Sequence, residues 1–437
     1  MSTTLTASRP ARLGTTPVIV AGLAAAAILG AATAVSVSFG GVSISRIVAP
    51  LAVAALLVEL VRGRARIRPG LPLIAAGLYG AWAVASGLWT VNGEGTRYLL
   101  SSLAIAFVYM LAFAALLRSR EQLERTIVVL GLAALLIGAS SILAFAGYPS
   151  LFEVKEGRAS GGVGDPSYFA NVQLVALPLV ITVASGIKTL WLRWTLYASI
   201  LVMIGSVLTS LSRGGLIALL LLLALVPLLP ARTLFASRRQ KAVMLLVIAF
   251  GTVALGTRAS VREGIQNRVA SIAGSGGEAG SQGGSGREQI WAAARLSISE
   301  RPLLGLGYGA FVHSSNELML RTPGVDLTFY KLREHGAEAH NAYLGTTAEL
   351  GFPGLALFLF LVGSIVAANR RTVRRARASG QLFAGRMANA LNLSVLGWAI
   401  SSLFISTETS RPLWIMLGLA LALPKLVDDR PPLAAHS

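Results

Sequence analysis

The chain is built from repeated apolar runs of about twenty residues, and this repetition constrains its fold more than any single motif. A hydrocarbon core of roughly 30 Å is crossed by about 20 apolar residues in a helix. Inside it every backbone N–H and C=O must find a partner within the segment, so such runs fold as helices packed into a bundle. Twelve runs are read, at approximately Thr16–Ser36, Ile44–Val61, Leu71–Thr90, Tyr98–Leu117, Thr126–Gly147, Tyr168–Gly186, Leu190–Leu211, Gly214–Ala231, Ala242–Gly256, Phe352–Ala368, Met387–Ile405 and Leu413–Leu426. The expectation is an all-α polytopic membrane protein of about twelve transmembrane helices, with the lipid bilayer as its first partner. Composition agrees: 54% of residues are hydrophobic and 13% charged, where a soluble domain carries about 25% charged residues.

Charge then sets the orientation. The formal net charge is +19, from 38 Lys+Arg against 19 Asp+Glu. In a soluble protein that excess points to nucleic acid. Here the basic residues follow the positive-inside pattern. With the N-terminus inside, the inner segments hold 23 Lys and Arg and the short outer segments 6. The expectation is a multi-pass membrane protein with both termini cytoplasmic and no nucleic-acid partner. The first apolar run has no convincing small-residue cleavage site and reads as a retained helix. There are no cysteines, which excludes disulfides, thiolate metal sites and a cysteine nucleophile.

The runs divide the chain into residues 1–256 with nine helices, an outward-facing loop over 257–340, and residues 341–437 with the last three helices. The loop contains a glycine-serine tract, Gly274–Gly286. No strand precedes it and the Walker lysine is absent, so it reads as a flexible linker and not a phosphate cradle. A helix is expected over REQIWAAARLSISERP, ended by Pro302, Gly305, Gly307 and Gly309, and a second short one near Phe311–Leu320. Pro353 and Gly354 break the chain just after Glu349. Residues 341–350 therefore read as a half-helix at the membrane surface, of the kind that lines a cavity.

The outer segments hold no DxD motif, and the chain has no HExxH and no nucleophile elbow. An outward-facing catalyst must then work with arginine, histidine and isolated carboxylates. Arg213 stands in LTSLSRGGL, where two glycines permit a tight turn and close approach of a ligand; the alternative is an arginine snorkelling to headgroups. Arg287, Trp291 and Arg295 share one helix face, suited to a phosphate or an anionic headgroup and equally to an ordinary interfacial helix. His340 directly precedes a helical run with Asn341 as a candidate N-cap. It is a general-base candidate by its near-neutral pKa, or else a surface-loop histidine. His335, Glu338 and His340 form HxxExH, which fits no standard zinc spacing. No metal or other cofactor is expected.

SRGG (Ser212–Gly215), GREQIW with RPLLGLGYGAF (Arg301–Phe311), and HNAYLGTTAELGFPG (His340–Gly354), in this order, resemble the O-antigen ligase and polymerase superfamily. The resemblance implies glycosyl transfer at the outer face of the plasma membrane, from a glycan on undecaprenyl diphosphate to a glycan or glycolipid acceptor. It maps the motif arginines onto Arg213 and Arg287 and the motif histidine onto His340, as the catalytic set. Arg158, Trp291, Arg295, Asn341 and Glu349 are the expected substrate-binding set. GRASGGVGDPSYFAN looks like the family's loop before the sixth helix, where the pattern commonly has Asn and this chain has Ser167. A polymerase of the same superfamily is the first alternative. A twelve-helix secondary transporter is the second, disfavoured by spans nearly free of internal charge.

Overall fold

The computed structural model describes residues 67, 69–152, 154–155, 157–256, 262–264, 266, 287–324 and 336–428, together with a short pairing of Ser38–Phe39 (β1) with Val42–Ser43 (β2). The first two expected spans and the glycine-serine tract lie outside the described residues.

Helices occupy the places of the other ten expected spans. They are α1 (Leu71–Ala85, extended by a 3-10 turn to Leu88), α2 (Gly93–Leu116), α3 (Arg120–Phe145), α4 (Pro166–Ala184), α5 (Leu190–Thr209) and α6 (Arg213–Leu228). After the short α7 (Ala231–Leu234) come α8 (Arg238–Gly256), the loop helices α9 (Arg287–Glu300) and α10 (Ala310–Arg321), then α11 (Ala342–Ala378), α12 (Leu382–Ser401), α13 (Arg411–Ala422) and α14 (Lys425–Asp428). A hairpin of Val154–Lys155 (β3) and Arg158–Ala159 (β4) precedes α4. Among the described residues six helices are long and apolar enough to cross a membrane: α1 with its 3-10 extension, α2, α3, α4, α5 and α11. The bundle is an all-α membrane architecture.

α4 is its central column. It is buried along nearly its whole length, as a helix apolar all round must be. It packs against α3, α5, α6 and α12.

The two ends of the bundle are built from opposite chemistry. At one end cations meet the carbonyls left open at helix C-termini. Lys425 Nζ donates to the Ala114 carbonyl of α2 at 2.6 Å, and Arg193 Nε to Ile187 just past α4 at 3.0 Å. Lys241 Nζ donates to the Pro227 and Leu229 carbonyls of α6, both at 2.6 Å. Each places a positive charge against the negative end of a helix dipole. At the other end lie the N-termini of α2, α4, α6, α11 and α13. Asn92, Asp165, Ser212 and Asn341 cap the first four with side-chain oxygens.

α11 is two helices joined at Gly351, whose φ of 68° and ψ of −175° are non-helical. The half-helix expected over residues 341–350 therefore ends at this break, at Gly351. Pro353 sits in the first turn of the second half, where it has no hydrogen bond to lose. Residues 301–309 run as a strap between this break and the end of α1. Trp82 Nε1 donates to the Leu350 carbonyl (3.0 Å) and Trp89 Nε1 to the Leu304 carbonyl (2.9 Å). Tyr308 N donates to Ser86 Oγ (3.0 Å), and Gly307 N to the Glu349 carbonyl (2.9 Å). Gly305, Gly307 and Gly309 all have φ between 66° and 100°, a region in which a side chain is strained. α9, α10 and the strap share a small core of their own around Ile290, Phe311, Leu318 and Met319.

Candidate active site

The SRGG turn is the first component. Ser212 Oγ accepts from Gly215 N (3.2 Å) and caps α6, which makes Arg213 the first helical residue, half-buried. A Cβ on Gly214 would stand 2.8 Å from Phe404 Cδ2 and 3.0 Å from the Ser401 carbonyl, and one on Gly215 would stand 2.8 Å from Ala170. The two glycines thus let the start of α6 lie directly against the end of α12 and against α4. Arg158 reaches this turn from β4: its Nε donates to the Ser210 carbonyl (2.9 Å) and its Nη2 to Ser167 Oγ (3.4 Å). Ser167, at the position where the family pattern has Asn, is therefore a hydrogen-bond partner of Arg158.

The second component is the start of α11. Asn341 Oδ1 accepts from Tyr343 N and Leu344 N, both at 3.0 Å. Asn341 is a helix cap, as its position implied. Trp291 Nε1 donates to the Ala339 carbonyl at 2.8 Å, which ties α9 to the residue preceding His340. Arg287 lies one turn before Trp291 and is half-buried, whereas Arg295, one turn beyond, is exposed. The face read as continuous is therefore graded from the packed interior to solvent. His335 lies outside the described residues.

These two components meet on one connection, residues 401–410. Gly214 packs on Ser401 and Phe404. Ala342 N donates to the Ser402 carbonyl (2.9 Å), and Tyr343 Oη to the Ala399 carbonyl (2.9 Å). Leu211 and His340 are the only non-glycine residues with positive φ among the described residues, at 49° and 47°. Each stands at one of the two components. Such conformations cost of order 1–3 kcal/mol and cluster where a site over-determines its backbone.

Glu349 takes a different place from that expected of a substrate-binding residue. It is 5% exposed, and its carboxylate accepts from the backbone N–H groups of Gly309 and Phe311. It caps α10 from a different element, and so positions the strap. Two further residues carry chemistry that sequence reasoning did not single out. Glu408, on the shared connection, has a covered Oε2 without a hydrogen-bond partner. Burial pushes its carboxyl up to about 7, with the Glu338 charge adding to the shift and backbone N–H groups opposing it. Arg411 opens α13, with its guanidinium 5.9 Å from the Tyr109 ring and its backbone hydrogen-bonded to the Tyr168 side chain. Both lie in STETSRPL, where charged residues stand between two apolar runs.

The fold and this end of the bundle define a class: a polytopic helical membrane protein whose helix N-termini and half-buried arginines gather at one end, an arrangement suited to anions. Residues 198–359 match the family model described as O-antigen ligase. The stretch similar to that family contains Arg213, Arg287 and His340, with Arg158, Glu408 and Arg411 outside it. A comparison with curated proteins finds no match.

Proposed function

We propose that the protein transfers a glycan from undecaprenyl diphosphate to an acceptor hydroxyl at the outer face of the plasma membrane, as a ligase, by a metal-independent inverting displacement. The observation that carries this reading is the convergence of the Arg158–Arg213 turn and the Trp291–Ala339–His340 junction on the connection 401–410. His340 takes the proton of the acceptor hydroxyl as its oxygen bonds to the anomeric carbon. The bond from that carbon to the diphosphate oxygen breaks on the opposite face, and undecaprenyl diphosphate departs with the electron pair. Arg213 and Arg287 stabilise the charge that develops on the diphosphate by charge-assisted hydrogen bonds. Arg158 and Trp291 bind and position from either side, Arg295 reaches outward, and Asn341 and Glu349 hold the backbone that presents His340.

The test is glycan transfer by full-length protein in a deletion strain. His340→Ala, Arg213→Ala and Arg287→Ala each reduce transfer at least about 100-fold, the usual scale of a general base or an oxyanion donor. Full transfer by all three variants, expressed at wild-type level, removes the assignment. Product length reads the acceptor: a ligase adds one preassembled glycan per acceptor, a polymerase makes ladders of growing lipid-linked chains.

A further inference from the structure

The two loop helices turn mainly polar residues outward: Glu288, Arg295, Ser299 and Glu300 on α9, His313 and Glu317 on α10. The strap between them does the opposite. Leu303 is 66% exposed and Leu304 45%. Their neighbours are apolar and exposed as well. Phe352 N donates to the Pro302 carbonyl at 2.8 Å, and Trp89 Nε1 to the Leu304 carbonyl at 2.9 Å, which brings Phe352 to one side of the strap and the end of α1, with Leu88, to the other. Leu88 and Phe352 each end a stripe. On α1 the exposed positions Ile74, Leu78, Ala81, Val84 and Leu88 recur every three or four residues, and so lie on one helix face. On α11 Phe352, Ala356, Leu359 and Gly363 do the same. α1 and α11 pack against each other, and both are long and apolar enough to cross a membrane. These stripes are therefore the faces they turn to lipid, and the strap leucines join them at the end near the candidate site. A continuous exposed apolar patch of this kind marks a contact surface, and this one continues the lipid-facing surface of the bundle.

Irregular chain is compatible with that depth only where its backbone groups are paired. The Pro302, Leu304 and Leu306 carbonyls accept from Phe352 N, Trp89 Nε1 and Val91 N. The N–H groups of Gly305, Leu306 and Gly307 donate to the Arg301, Ala348 and Glu349 carbonyls. Pro302 has no N–H to satisfy. Trp89 beside the patch suits the membrane–water boundary, where indoles concentrate, and the exposed Arg301 has the reach to meet headgroups. We propose that the strap is an interfacial anchor: Leu303 and Leu304, with Leu88 and Phe352, insert into the leaflet on the side of the candidate site, and Arg301 meets its phosphates. Because α9 runs directly into the strap, the anchor holds that helix at headgroup depth. The assignment is independent of the glycan chemistry proposed above.

The experiment uses the absence of native cysteine. Full-length protein carrying Leu303→Cys, Leu304→Cys or Leu88→Cys receives a nitroxide spin label in phosphatidylcholine nanodiscs. Collisions of the label with oxygen, which concentrates in lipid, are compared with those of a water-soluble nickel chelate. Leu78→Cys, on the α1 stripe, and Ser299→Cys, on α9, calibrate the lipid and water limits. All of these positions are exposed, so the substitutions leave the packed core untouched. The expected result is oxygen access above nickel access at all three test positions, with a ratio nearer that of Leu78→Cys than that of Ser299→Cys. Nickel access equal to or above oxygen access at either strap leucine overturns the anchor, because the patch then faces water. Low access to both reagents also overturns it, because the patch is then covered by protein, a second copy or a partner. Glycan transfer is not part of the readout, so the proposed function and the anchor stand or fall separately.

Discussion

At the residue scale, a few positions have side chains or conformations that nothing else can replace. Gly351 has φ of 68° and ψ of −175°, and a Cβ there would run into the Leu303 carbonyl. Gly351→Ala should therefore destabilise by about 1–3 kcal/mol, read as a lower melting temperature of the purified protein, and transfer should fall with it. Glu408 supplies a pH dependence with a definite sign. Its folded carboxyl is raised by burial to about 7 from a usual 4.5, so between those pH values the unfolded chain has lost a proton that the folded protein still holds. Stability contributed by this group is complete below about 4.5 and declines as pH rises to about 7. Glu408→Gln should melt like the wild type at pH 4.5 and higher than it at pH 8; a variant that melts in parallel with the wild type across this range removes the assignment. Arg213, Arg287 and His340 were legible because each sits in a short motif with its own glycine, aromatic or cap. Glu408 and Arg411 were not, because a lone charge between apolar runs has the same sequence signature whether it faces water or a neighbouring helix.

At the element scale, the loop helix α9 is tied to the start of α11 by the Trp291 indole N–H on the Ala339 carbonyl at 2.8 Å. Trp291→Phe keeps the ring and removes the donor, at a cost of about 1 kcal/mol. Because the acceptor precedes His340, the expected result is a tenfold or larger loss of transfer with little change in melting temperature. An equal loss of both would mean that α9 is held for stability alone. Hydrophobic runs located the helices well, since length and apolarity are local properties. The break in α11 was legible in the sequence: the half-helix read over residues 341–350 ends at Gly351, the residue with positive φ, while Pro353 sits in the first turn of the second half, where it is compatible with helix. The engagement of Glu349 with α10 had no local signal at all: its partners, Gly309 and Phe311, are distant in sequence and come together only through the strap.

At the scale of the whole molecule, the contrast between cation-capped helix C-termini and N-termini gathered near the arginines gives a sidedness that is open to direct measurement. The chain contains no cysteine, so single cysteines report without background. Ser299 on α9 and Ser379 after α11 are both exposed. Ser299→Cys should react with a membrane-impermeant maleimide in intact spheroplasts, and Ser379→Cys only after permeabilisation. The reverse pattern inverts the orientation and places the candidate site in the cytoplasm. The strap between α1 and α11 bears on how the protein is made. Trp82, Ser86 and Trp89 lie near the end of α1, yet their partners Leu350, Tyr308 and Leu304 are 268, 222 and 215 residues further along. A ribosome delivering the chain to the translocon releases the first helices long before those partners exist. The early helices must therefore wait, with their indole N–H groups at the lipid interface, and this end of the bundle is completed only when the last third of the polypeptide has been inserted.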